Sequence, residues 1–372
     1  SPYKKRRDVK KINVGIVGGS GFTGGELCRL LLKHKNVENI YPTSRSEQSF
    51  KRTHTGLANS NLEFIDVSTL VSKKKIDVVF LCTKSNQSID YAEIFLKKKI
   101  IVIDLSGAFR FDNSKNYFKA YGTEHSKKKL LESSVYGATE FNEKAIIKNS
   151  LIANPGCYAL CALLSLAPLT KGKFADFKKI IKIHAINGTT GAGMSLRQEI
   201  THKNVMENML AYNASGHRHA PEIEEKLQSF FKIKDVSIDL NTAHGNFRRG
   251  IFMQISIETK KNYKKKISRE FLIKEFKNFY KPKKLNNFIF INDLEKTGDK
   301  NFKDYKIYPQ LSNVVGTNNC NIGLDYDEDR KIIKIISVMD NLIKGAAGSA
   351  IQNMNLKFDF NPTEGLDTLG IF

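Results

Sequence analysis

The chain of 372 residues has no tryptophan and only five cysteines. No stretch approaches 18 uninterrupted apolar residues, so no transmembrane helix is expected. The basic start, Ser1-Pro2-Tyr3-Lys4-Lys5-Arg6-Arg7, has no apolar segment behind it. A secretory signal is therefore not expected, and residues 1–11 read as a flexible basic tail. Cys28, Cys82, Cys157, Cys161 and Cys320 are few and odd in number, which fits free thiols in a reducing compartment. The expected location is the cytoplasm, or an organelle stroma or matrix if the source is eukaryotic. Cys157 and Cys161 are four apart, but no second Cys or His pair at metal spacing accompanies them, so no metal is expected. No internal repeat is visible.

Positive charge is abundant. Sixty Lys and Arg against 38 Asp and Glu give a net charge of +22. Such a balance invites a nucleic-acid reading. The lysines, however, come in short scattered runs without interleaved aromatics: Lys73-Lys74-Lys75, Lys97-Lys98-Lys99, Lys127-Lys128-Lys129 and Lys264-Lys265-Lys266. They read as solvated surface, and nucleic acid is not the expected partner. The same field would attract an anionic substrate, NADP or an acidic carrier protein.

The length fits about two domains. Ile12 to Val17 reads as a buried strand. Gly18-Gly19-Ser20-Gly21-Phe22-Thr23-Gly24-Gly25 follows, then a helical run from Glu26 to Leu32. A G-x-G-x-x-G between strand and helix lets backbone approach a pyrophosphate at a helix N-terminus. The next strand, Val37 to Pro42, leads into Thr43-Ser44-Arg45-Ser46, where hydroxyls and an arginine replace the acid that would suit NAD. NADP is the expected cofactor. Strands at 77–82, with Thr83 to Gln87 as terminal loop, and at 100–106 continue the alternation to about residue 153, as in a doubly wound α/β domain.

Asn154-Pro155-Gly156-Cys157-Tyr158 then breaks an apolar strand, and a helical run follows to Leu166. Cys157 is placed at a helix start, where free N–H groups and the macrodipole are expected to lower a thiol pKa and to hold an oxyanion. Beyond it the pattern changes to α+β. Strands are read at 179–186, 236–240 and 250–257, and a basic amphipathic helix at 260–284. A strand end at 337–341 runs into a Gly- and Ala-rich helix. A nucleotide-binding half, a cysteine on a strand–helix turn and later histidines suggest thioester chemistry with hydride from a nicotinamide.

In this order the motifs resemble the N-acetyl-γ-glutamyl-phosphate reductase family, related to aspartate-semialdehyde dehydrogenase. The carriers are the Gly18–Leu27 loop, Thr43 to Ser46, Asp104-Leu105-Ser106-Gly107-Ala108-Phe109-Arg110, Val135-Tyr136-Gly137, and Asn154 to Ala159. Gly191-Ala192-Gly193, His217-Arg218-His219-Ala220-Pro221-Glu222-Ile223 and Asp340 to Gly348 complete them. The resemblance implies a Rossmann-type doubly wound domain (12–155 plus 345–372). It implies an α+β catalytic and dimerisation domain (156–344) resembling that of glyceraldehyde-3-phosphate dehydrogenase, and a homodimer or homotetramer. It implies that Cys157 accepts the acyl group of an acyl phosphate, phosphate leaves, and NADPH reduces the thioester to a semialdehyde. His219, with His217 second, would be the acid/base, and Glu222 would orient it. Gly18, Ser20, Gly21, Phe22, Thr23, Gly24, Ser44, Arg45, Ser46, Cys82, Thr83, Ser106, Gly191 and Asn341 would hold cofactor. Arg110, Asn154 and Arg218 would hold substrate. Met194, Ser195 and Ser349 stand where the family usually carries Arg-Lys and Gln. These departures keep open a related acyl phosphate, aspartyl or carrier-linked 2-aminoadipyl, and an inactive basic scaffold that kept the fold.

Overall fold

The structure, a computed structural model, describes residues 10–46, 48–73, 75–194, 198–299 and 301–371. Most of the basic tail, and Ser195, lie outside the described residues. The first sheet contains β1 (Ile12–Val17), β2 (Val37–Pro42), β3 (Val78–Leu81), β4 (Ile101–Asp104), β5 (Val135–Tyr136) and β6 (Leu151–Ala153). Its order is β2-β1-β3-β4-β6-β5, with every pair parallel. Helices α1 (Phe22–Leu31), α2 (Ser85–Lys97), α3 (Ser114–Tyr121) and α4 (Thr139–Lys148) lie between these strands. The central strands read as short continuous apolar runs because both faces are covered.

Parallel strands bring all their carboxyl ends to one edge. The strand order reverses between β1 and β3, and a crevice opens outside the carboxyl ends at such a switch point. The loops after β1 and β3 meet there: a Cβ at Gly18, whose φ is +81°, would lie 2.4 Å from the Cys82 carbonyl oxygen. The nucleophile turn after β6 and the Ser106 loop after β4 share this edge.

Helix α5 (Cys157–Leu166) leads into the second, mixed sheet. This sheet holds β7 (Ile181–Asn187), β8 (Leu210–Tyr212), β9 (Ile238–His244), β10 (Ile251–Glu258), β11 (Ile289–Ile291), β12 (Cys320–Asp327) and β13 (Ile332–Met339). The order is β11-β12-β13-β10-β7-β9-β8. One face alternates inward, with Ile181, Ile183, Met253 and Ile255 packed under α5, α6 (His219–Phe231) and α7 (Arg269–Phe279). Every residue of α5 except Cys157 is buried, each large aliphatic contributing about 1.5–3 kcal/mol. The other sheet face lines an open cavity of about 960 Å³ with Phe252, Gln254, Ser256, Lys334 and Ile336. Helix α8 (Gly348–Lys357) returns to the first sheet, where Ala350, Ile351 and Met354 join the core of β1 and β3.

The helix expected over 260–284 is shorter. Lys260 N–H donates to Phe174, which holds the chain as an extension of β10. The helix begins only where the Ser268 side chain accepts from Phe271 N–H at 3.1 Å. No described helix is long and apolar enough to cross a membrane.

Candidate active site

The glycine loop is built by close approach. A Cβ at Gly19 would lie 2.8 Å from Pro42 Cβ, and one at Gly24 would lie 2.5 Å from the Gly18 carbonyl oxygen. Gly21 differs. Its φ of −77° suits any residue, and the nearest atom to a Cβ there is 3.8 Å away. Neither strain nor crowding by the protein demands this glycine, which fits backbone kept bare for a ligand. It is the N-cap of α1, and no side chain caps that helix, so first-turn N–H groups remain to take phosphate oxygens. A dinucleotide therefore fits the loop. The Ser44 and Ser46 hydroxyls lie 3.1 Å apart beside it. Exposed Arg45 faces the Gln87 carboxamide, with bonds of 2.8 and 3.1 Å when its oxygen is turned to the guanidinium. Ser106 donates to Asp104 Oδ2 at 2.7 Å, and Thr83 and Ser88 share a hydroxyl bond of 2.8 Å. Cys82 is held protonated by burial and by Asp104.

Cys157 opens α5, half-buried, with Gly156 as N-cap. A helix start predicts an acidified thiol, and the structure reverses that expectation. Burial, the largest cause, and Glu222 raise its pKa more than Arg110, the Tyr158 N–H and Arg218 lower it. The shift leaves the group a thiol.

His219 lies against the same turn. A Cβ on Gly156 would lie 2.5 Å from His219 Nε2, so the imidazole rests on the residue before Cys157. His219 is buried, and neither ring nitrogen has a hydrogen-bond partner. Burial, then His217, Arg218 and Arg110, hold its pKa well below the ordinary histidine value. A neutral imidazole with both nitrogens available can accept a proton. His217 instead holds the backbone beside it. Its Nδ1 accepts from the His219 N–H at 3.0 Å, and burial and Arg218 push its pKa down to about 4.

Glu222 does not orient the imidazole. Its Oε1 accepts from the Gly156 N–H at 2.9 Å and from the Tyr136 hydroxyl at 2.6 Å, and its Oε2 lies 3.9 Å from Arg110 Nη1. The carboxylate holds the nucleophile turn. Arg110 is itself buried, donating to the carbonyls of Asn154 at 2.9 Å and Leu105 at 3.0 Å. The Asn154 amide is also engaged inward. It donates to Ala346 and to the Ser349 hydroxyl and accepts from Asn353. Ser349, one of the departures, thus closes a buried network behind the turn. Asn341 accepts from Gly250 N–H at 2.7 Å and donates to Thr190 at 3.1 Å. A Cβ at Gly191 would lie 2.1 Å from Asn187 Nδ2. Arg218 and Met194 are exposed.

Three further features of the site belong to none of the predicted site residues. Tyr158 and Tyr212 share a hydroxyl bond of 2.6 Å and carry the two histidine rings, while His244 stacks on Tyr212 at 4.5 Å. Gly345 packs on the nucleophile, and a Cβ there would lie 2.9 Å from Cys157 Cβ. Lys344, fully buried, pairs with Glu140 at 2.5 Å and Gln352 at 2.7 Å beside it. A lone lysine in a Gly- and Ala-rich run was the available signal for the last. Among the described residues no group of His, Cys, Asp and Glu could hold a metal.

Residues 13–149 match the description "Semialdehyde dehydrogenase, NAD binding domain", and residues 157–341 match "Semialdehyde dehydrogenase, dimerisation domain". The N-acetyl-gamma-glutamyl-phosphate reductase of Campylobacter jejuni (strain RM1221) is 37% identical over 358 residues, 96% of this chain and 98% of its own. The chain belongs to the N-acetyl-γ-glutamyl-phosphate reductase family. A second member, from Caldicellulosiruptor bescii, is 37% identical over 362 residues, covering 96% of this chain and 99% of its own. Aspartate semialdehyde dehydrogenase II from Vibrio cholerae, crystallised with ASA, shares the fold. Its TM-score is 0.68 at 16% identity, over 94% of this chain and 99% of that one. The two matched domains follow one another along the chain as the two sheets do.

Proposed function

We propose that the protein reduces N-acetyl-γ-glutamyl phosphate to N-acetylglutamate 5-semialdehyde and phosphate, with NADPH as reductant. The observation that carries the reading is the neutral, unpartnered His219 imidazole lying on the residue before a protonated Cys157 at a helix start. Family membership supplies the substrate class, and Ser44, Arg45 and Ser46 favour NADP over NAD.

His219 takes the thiol proton, and Cys157 Sγ attacks the acyl carbon. The sulfur–carbon bond forms, the carbon–oxygen bond to phosphorus breaks, and the proton leaves with the phosphate. The N–H groups at the start of α5 face an oxyanion on the attacked carbon. NADPH held at the glycine loop would supply the hydride that no side chain can. The carbon–sulfur bond of the thioester then breaks, the aldehyde departs, and a solvent proton restores the thiol. Glu222 keeps Gly156, and with it the attacking sulfur, in place throughout.

The proposed units are 12–155 with 345–372 for the cofactor and 156–344 for catalysis. The open face of the mixed sheet, inside the segment matched as a dimerisation domain, is the proposed contact in a homodimer. A location in a reducing compartment fits the five free thiols.

The deciding experiment is phosphate-dependent NADP reduction with N-acetylglutamate, aspartate and 2-aminoadipate semialdehydes side by side. The first should be strongly preferred. Cys157→Ser should abolish turnover while NADP still binds. Unchanged turnover in that variant would sink the mechanism, and preference for another semialdehyde would overturn the substrate.

A further inference from the structure

Arg249 lies on the loop between β9 and β10, outside every motif singled out above. Its guanidinium reaches two elements distant in sequence. Nη2 is 3.1 Å from Glu26 Oε1 and Nη1 is 3.3 Å from Glu26 Oε2. Nε is 3.1 Å from Asp340 Oδ2, and Nη2 is 3.2 Å from Asp340 Oδ1. The Asp340 side chain is fully buried and that of Glu26 is 8% exposed.

Each carboxylate is tied to one half of the chemistry. Glu26 sits on α1, the helix whose bare N-terminus follows Gly21. Asp340 follows β13 and accepts from the N–H groups of Leu342 at 2.9 Å, Ile343 at 3.2 Å and Gly316 at 2.9 Å. It thereby starts the π-helical turn Ile343–Ala347, whose Gly345 bears on Cys157. The Gly345 N–H also donates to the Asp340 carbonyl at 3.0 Å. Ionic and main-chain bonds therefore run from α1 through Arg249 and Asp340 to Gly345, and packing of Gly345 against Cys157 completes the path. A planar fork with two faces for carboxylates suits such a bridge, and a lysine would hold only one partner well.

We propose that Arg249 is a positioning residue that sets the separation between the bound nicotinamide and the Cys157 thioester. The proposal rests on the dinucleotide and thioester reading above. It requires the hydride-transfer step to depend on Arg249, while the intrinsic reactivity of the thiol does not.

The test uses the full chain with Arg249→Met, Arg249→Lys and Glu26→Gln. Three quantities are read: alkylation of Cys157 by iodoacetamide without cofactor, NADPH affinity by nicotinamide fluorescence, and turnover with semialdehyde deuterated at the aldehyde carbon. In Arg249→Met, turnover should fall about 100-fold, the scale of an ångström of misplacement. The isotope effect should rise, NADPH affinity should fall roughly tenfold, and alkylation should stay within about twofold of the native rate. Arg249→Lys should recover part of the loss, and Glu26→Gln should move in the same direction. Turnover and affinity near native in both Arg249→Met and Glu26→Gln would overturn the proposal, as would alkylation falling in step with turnover. If Arg249→Met does not fold, Arg249→Lys and Glu26→Gln carry the same comparison. If the native protein oxidises none of the semialdehydes, the functional reading fails, and the NADPH titration alone still decides whether Arg249 supports the cofactor site.

Discussion

Glu222 Oε1 accepts the main-chain N–H of Gly156 at 2.9 Å, one residue before the nucleophile. A carboxylate on the first turn of one helix thus fixes the N-cap of another. Glutamine at 222 can still accept that N–H through its carboxamide oxygen, whereas alanine cannot. Glu222→Gln should cost roughly 2–3 kcal/mol, since the Tyr136 hydroxyl and Arg110 lose a charged partner. Glu222→Ala should cost more and should also lower the rate of Cys157 alkylation. Urea midpoints and iodoacetamide kinetics on the two variants check this. Equal alkylation in both would show that the main-chain bond does not hold the thiol.

Gly345 has no positive φ to explain it. The explanation is the 2.9 Å that would separate an added Cβ from Cys157 Cβ, with Met339 and the Asp340 carbonyl behind it. Gly345→Ala should fold with a loss of about 1–3 kcal/mol from overpacking and should lose most of its activity as the thiol is displaced. Turnover measured beside a thermal melt separates the two effects. Near-native turnover would mean that the nucleophile tolerates the shift.

Acid should weaken the protein through its histidines. His217 has a folded pKa of about 4 against an ordinary 6.5. Above pH 6.5 it is neutral whether folded or unfolded, so it adds no slope. Below that, the unfolded chain binds the proton first, and stability falls until the pH nears 4, by roughly 3 kcal/mol in all. His219, shifted in the same direction, adds to the fall. Urea midpoints at pH 7.5, 6 and 5 should drop progressively, and His217→Gln should flatten the slope. A native slope unchanged by that substitution would count against the buried neutral ring.

The local signals in the sequence carried far. The strand, glycine loop and helix from Ile12 to Leu31 and the turn at Cys157 are contiguous, and short-range preferences decide them. What the sequence hid is long-range or a contest of forces. Tyr136 and Glu222 are 86 positions apart, and Arg249 and Glu26 are 223 apart. No spacing rule reaches that far. The order of the mixed sheet is likewise a matter of partners rather than periodicity. The thiol pKa depended on burial outweighing the helix terminus, and burial is a property of everything packed around Cys157. The resemblance implied that Asn154 would hold substrate. Its amide instead serves Ser349 and Asn353, a use visible only once α8 has returned to the first sheet.

A Cys157 thiol whose pKa is raised by burial has a further consequence. Peroxide and other oxidants attack thiolates, so the susceptibility of Cys157 follows its thiolate fraction. Burial that raises the thiol pKa therefore shields the residue between turnovers. On the mechanism proposed above, the thiolate forms when His219 takes the proton, so exposure to oxidant falls with the time spent as a thiol.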